Sequence, residues 1–121
     1  GLSNYDFESA YHAMNGLLAK RAEFTALFAM SDAIAVGAIR ALVSAGLRVP
    51  EDVSVIGFDG ITMSRYCVPV ITTIVQPSEQ IALQSVELLV RQIEHGAPAQ
   101  TVTLQPELQP GESVRPCRGN F

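Results

Sequence analysis

Val49-Pro50-Glu51-Asp52-Val53-Ser54-Val55-Ile56-Gly57-Phe58-Asp59-Gly60 reads as a turn, then a short apolar strand, then a carboxylate at the strand's exit. Val53, Val55 and Ile56 are β-branched. Pro50 on one side and Gly57 and Gly60 on the other bound the run, which is the pattern of a buried strand in an α/β sheet. In open parallel sheets a ligand sits in the crevice beyond the carboxyl ends of the strands, and that is where this reading puts Asp59. A carboxylate there can accept two hydrogen bonds from a polyol or an amide-bearing ligand. Phe58-Asp59-Gly60 is also a turn on composition alone, so Asp59 carries two readings.

Upstream, Phe24-Thr25-Ala26-Leu27-Phe28-Ala29-Met30 is a continuous apolar run of strand length, which predicts burial on both faces as in a parallel sheet. Ser31 and Asp32 follow at once, then a helix over 33–45 with Gly46 as its stop. Ser31 or Asp32 can cap that helix, satisfying free backbone donors and complementing the dipole. Contact with a ligand is the other role open to Asp32. Strand–helix–strand with a right-handed crossover follows, so Ser31 and Asp59 are expected at one edge of the sheet. Before this unit, Asp6 is a candidate N-cap for a helix over 6–21, with Phe7, Ala10, Tyr11, Met14, Leu17 and Leu18 along one face. Asn15-Gly16 can instead be read as a turn. His12 beside this stripe reads as a surface residue.

Downstream, residues 61–69 form an irregular, rather apolar loop. Val70-Ile71-Thr72-Thr73-Ile74-Val75 is the third strand, closed by Gln76-Pro77. A helix over 78–95 follows, ending at Gly96 and apolar over most of its circumference, so it calls for cover on several sides. His95 in its last turn suits the helix dipole. Thr101 to Leu108 alternates enough for a half-buried strand, with Pro106 arguing for an edge or a bulge.

The chain has 121 residues, 48% hydrophobic and 17% charged, enough for one modest core. Its net charge of −4 offers nothing to a phosphate backbone. Cys67 and Cys117 make neither a metal spacing nor a disulfide framework, which fits a reduced, cytoplasmic setting. No run reaches the roughly 20 apolar residues of a membrane span. No cofactor or metal is called for.

Two segments together carry a resemblance to the LacI/GalR transcriptional regulators: Pro50-Glu51-Asp52 through Gly57-Phe58-Asp59, and Thr72-Thr73-Ile74 followed by Gln76-Pro77. Ala29-Met30-Ser31-Asp32-Ala33-Ile34-Ala35-Val36-Gly37 resembles the regulators' strand-to-helix segment, where an Asn often stands in place of Ser31 and hydrogen-bonds the effector, often a sugar. The resemblance implies an α/β fold, a partial periplasmic-binding-protein-like (type I) lobe with a mostly parallel sheet and flanking helices. It implies effector contact through Ser31, Asp32, Asp59 and Gln76, the last near the cleft between two lobes. It implies a homodimer surface around Val36, Arg40, Met63, Tyr66 and Cys67. Residues 1–121 are then expected to be a single fragment, most of a C-terminal lobe, with the N-lobe and the DNA-binding headpiece lying outside it. Operator DNA would be reached only through that headpiece. The family pattern has an Arg before its Glu-Ser pair; here Gly111 precedes Glu112-Ser113.

Two other classes are weighed against this one. A periplasmic-type sugar-binding protein of a transport system shares the fold, and fold alone does not fix function. An enzyme on a nucleotide-binding sheet would need a Gly-rich phosphate loop, a Cys/His pair or paired catalytic carboxylates, and the sequence has none of these.

Overall fold

The computed structural model describes residues 6–117. They fall into two compact units: residues up to Val75 together with the chain from Leu108 onward, and Gln76–Glu107.

In the first unit, Asp6 caps α1 (Phe7–Ala19), its carboxylate accepting the Ser9 N–H at 2.8 Å. The helix runs through Asn15-Gly16, so the turn reading there gives way. β1 (Ala26–Phe28) leads through Ser31 into α2 (Asp32–Ser44), and Gly46 at φ +85° follows the Ala45 cap. β2 (Ser54–Asp59) pairs in parallel with β1 on one side and with β3 (Thr72–Val75) on the other. The loop between β2 and β3 contains a 3-10 turn over Thr62–Arg65. The full sheet order is β1-β2-β3-β4, with β4 (Glu107–Gln109) at the edge.

The core gathers Met14 from α1, Ala35, Ala38, Ile39, Ala41 and Leu42 from α2, and Val53, Val55 and Ile71 from the strand segments. Gly37 is what lets α1 cross α2 so closely: a Cβ there would collide with the Phe7 carbonyl and lie 2.9 Å from the Ala10 Cβ.

Two strand expectations are corrected. β1 is an edge strand, and Phe28 and Met30 are 59% and 65% exposed, so its continuous apolarity does not mean burial on both faces. The half-buried strand expected over 101–108 reduces to the three residues of β4. Beyond β4, the tail closes the sheet by side-chain insertion. The Ser113 hydroxyl donates to the Val55 carbonyl at 2.5 Å and accepts the Thr72 N–H at 2.8 Å, so Ser113 stands between the starts of β2 and β3. The Val55 N–H in turn donates to the Ser113 carbonyl. Gly111 sits where a Cβ would lie 2.6 Å from the Val70 carbonyl oxygen, which gives the departure from Arg at that position a steric reason.

In the second unit, α3 (Ser78–His95) ends at Gly96 in the left-handed conformation, and none of its residues is buried. Part of one face, Ile81, Gln84, Ser85 and Leu88, lines a groove with Gln100, Thr101, Val102 and Leu104. Leu83, Val86, Leu89 and Ile93 remain exposed.

Candidate functional site

Because β1, β2 and β3 are parallel, their carboxyl ends lie at one edge of the sheet. Ser31 follows β1 there, and Asp59 is the last residue of β2.

Ser31 is the N-cap of α2: its backbone is extended, and its hydroxyl oxygen accepts the Ile34 N–H at 3.2 Å. It is half-buried. Its hydroxyl hydrogen is still available as a donor, since that bond uses the oxygen only as an acceptor.

Asp59 is half-buried with φ +109°, outside the regions an L residue ordinarily adopts. Such conformations cost on the order of 1–3 kcal/mol and collect at functional sites. Asp59 is thus both the last residue of β2 and the first of the turn that leaves it. Gly60 follows at φ +76°, packed so closely on Val75 that a Cβ would sit 2.7 Å from a Val75 methyl.

Asp32 has 0% exposure. One carboxylate oxygen accepts the Thr73 hydroxyl at 2.6 Å, and the other accepts the Ile61 N–H at 2.8 Å. Gly57 makes this possible, because a Cβ there would collide with the Asp32 carboxylate. Asp32 is thus turned into the unit, with its oxygens bonded to β3 and to the residue two beyond Asp59. Gln76 directly follows β3 in the chain and is the first residue of the second unit.

The residues read as an interface lie on the first unit's surface. Val36, Ile39, Arg40 and Val43 of α2 line a shallow, mostly apolar groove with Cys67, Val68 and Ile71. Tyr66 and Val68, 80% and 94% exposed, and Met63 stand in the same loop. Burial, and secondarily the negative charge of Asp32, push the Cys67 thiol above its ordinary pKa, and its S–H donates to the Met63 carbonyl at 3.3 Å. Among the described residues no group of His, Cys, Asp and Glu could hold a metal ion, and no helix is long and apolar enough to cross a membrane.

Sequence reasoning missed the partners of Asp32. Thr73 was one threonine of a strand, and Ile61 contributes only a backbone N–H, which no side-chain pattern reports. Gly57 offered a signal: a glycine inside a strand marks a close approach by another group.

Residues 2–114 match the family model for a periplasmic binding protein-like domain. The chain is 46% identical over 104 residues to a transcriptional regulator MalR from Clostridium butyricum, a match covering 86% of this chain and 31% of that protein. It is 39% identical over 112 residues to a transcriptional repressor PurR from Edwardsiella ictaluri, covering 92% and 33%. Among solved structures, a LacI family regulator from Enterococcus faecalis V583 with bound ribose superposes with a TM-score of 0.87 at 34% identity, over 95% of this chain and 43% of that one. The chain spans about a third of the length of these curated relatives. Their names are those of regulators, which does not favour the transport-protein alternative. The open, mostly parallel sheet with its helices and the match over residues 2–114 agree: the chain belongs to the periplasmic binding protein-like family, in the form carried by LacI-type regulators.

Proposed function

We propose that this chain is the effector-sensing part of a LacI-type transcriptional regulator, in which a small molecule, a sugar or related metabolite, modulates binding of operator DNA by a headpiece outside these residues. The observation that carries this is Asp59, held at φ +109° at the carboxyl end of β2, on the sheet edge where β1 also ends. Strain of that kind at a ligand-binding edge is what a preorganised contact requires. Ser31 and Asp59 contact the effector in this reading, and Gln76 joins them on the strength of the family likeness. Asp32, buried and bonded on both oxygens, belongs to the same site as a support.

In such a regulator residues 1–121 are most of one lobe, and effector closes the cleft against another lobe, shifting the population between two arrangements. The setting is cytoplasmic and no catalysis is involved. Two copies pair through the surface of Val36, Arg40, Met63, Tyr66 and Cys67, whose mix of Met, Tyr and Arg suits an interface.

The test is calorimetry on the intact regulator with ribose, maltose, lactose and cellobiose as probes. Asp59→Ala is expected to weaken the sugar that binds by about 1–3 kcal/mol, the cost of leaving a buried partner unpaired. Unchanged affinity would remove Asp59 from the site.

A further inference from the structure

Asp59 keeps an unfavourable backbone conformation, so something in its surroundings must hold it there. Asp59 ends β2, its Cα in register with Val75 of β3. Gly60 is wedged against Val75. The next peptide N–H, that of Ile61, points inward and donates to the Asp32 carboxylate at 2.8 Å. The other Asp32 oxygen takes the Thr73 hydroxyl, on the strand that borders β2. One side chain therefore bonds the chain just beyond Asp59 and the strand beside it.

On the far side of that peptide, the Ile61 carbonyl accepts both the N–H and the hydroxyl of Ser64, at 3.0 and 2.7 Å. Ser64 is 1% exposed, and its carbonyl accepts the Ile71 N–H. The Asp32 bond thus anchors the 3-10 turn as well as the strand end.

We propose that Asp32 is a positioning residue: through the Ile61 N–H it fixes the Asp59-Gly60-Ile61 turn and so presents the Asp59 carboxylate at the sheet edge. This deepens the proposed function and rests on it for the meaning of Asp59 as a contact. Asp32 has no exposed surface, so it acts on the effector only through the backbone it holds.

The backbone at position 61 allows a test that leaves Asp32 in place. Ile61 has φ −66°, the value a proline ring imposes. Ile61→Pro therefore deletes the donor at a φ that the ring accepts. Asp32→Asn should preserve the arrangement, with its amide oxygen taking the Ile61 N–H and its NH₂ donating to the Thr73 oxygen. Thr73→Val removes the other partner and serves as the control for a merely structural disturbance.

The readout is NMR of the 121-residue chain: the Asp59 amide–Hα coupling and chemical shifts, and amide exchange at Ile61 compared with Val55. In Asp32→Ala the Ile61 amide is expected to exchange about tenfold or more faster relative to Val55, and Asp59 leaves its native coupling. In Ile61→Pro, Asp59 moves in the same way. In Asp32→Asn and in Thr73→Val it does not. If Asp32→Ala fails to fold, the comparison of Ile61→Pro with Thr73→Val decides alone. Native Asp59 parameters in Ile61→Pro, or an equal displacement of Asp59 in Thr73→Val, would overturn the proposal. None of these measurements uses an effector. Failure of the effector reading would show instead as unchanged calorimetry for Asp59→Ala.

Discussion

Replacing Ser113 with alanine removes a single oxygen, yet it should be among the most damaging small changes in the chain. That oxygen is wholly buried, in a residue with 0% exposure. It donates to the Val55 carbonyl at 2.5 Å and accepts the Thr72 N–H at 2.8 Å. Alanine leaves both of these backbone groups without the hydroxyl, between two strands with little room for water to replace it. A buried donor or acceptor left without a partner costs about 1–3 kcal/mol, so the pair sums to roughly 2–6 kcal/mol. Against a total stability on the order of 5–15 kcal/mol, that is a large share. In a domain of this size each kcal/mol moves the melting temperature by roughly 4 °C or more, so a fall of about 8 °C or greater is expected. Urea denaturation followed by circular dichroism measures the loss, and exchange of the Thr72 amide locates it. Ser85→Ala, at an exposed position of α3, is the control and should stay within about 0.5 kcal/mol of the parent. A Ser113→Ala loss below about 0.5 kcal/mol, or unchanged Thr72 exchange, would refute the bonding argument.

Asp59→Gly and Asp59→Ala both remove the side chain, but only glycine accepts φ +109° without strain, so effector affinity in the intact regulator should fall in both while Asp59→Gly melts at the higher temperature; equal melting temperatures would argue against strain at this position. Hydrogen bonds from Arg48 hold the Asp52 carboxylate below its ordinary value of 3.8. A carboxylate depressed by folding contributes stability above its unfolded value and loses it as pH falls through the folded one. Stability should therefore drop below about pH 3.8 by less in Asp52→Asn than in the parent, as followed by urea midpoints on acidification. Cys117 is exposed, whereas Cys67 is partly buried with its thiol pushed up, so iodoacetamide at neutral pH should label Cys117 first, as peptide mass spectrometry would record.

The elements that declared themselves in the sequence were those whose ends are written in local chemistry. Asp6 caps α1, Ser31, one of the two candidates beside Asp32, caps α2, and Gly46 and Gly96 follow the ends of α2 and α3. β2 is legible in the β-branched residues after Pro50, but Gly57 does not bound it: the strand runs on through Gly57 to Asp59. What the sequence concealed depends on neighbours far along the chain. The apolarity of Phe24–Met30 could not say which sheet position β1 takes, and an edge strand leaves Phe28 outside. Alternation over 101–108 promised a strand, but strand formation needs a partner with free ladder groups, and only Glu107–Gln109 finds one. At the site, placing Ser31 and Asp59 on one edge needed only parallel pairing. The inward turn of Asp32 needed Thr73, Gly57 and a backbone N–H 29 residues away, and no periodicity carries that information.

The position of Ser113 also bears on the order in which the molecule can assemble. The chain leaves the first unit after Val75, makes α3, and returns at Leu108 before Ser113 can reach Val55, 58 residues earlier. Closing so long a loop costs entropy that grows only slowly with its length, but the contact comes late because it is so non-local. On the ribosome, β1, α2, β2 and β3 emerge well before the serine that completes their hydrogen bonding. A nascent chain stalled short of residue 113 would hold a sheet whose Val55 and Thr72 backbone groups still face solvent, so commitment to the finished fold waits on Ser113.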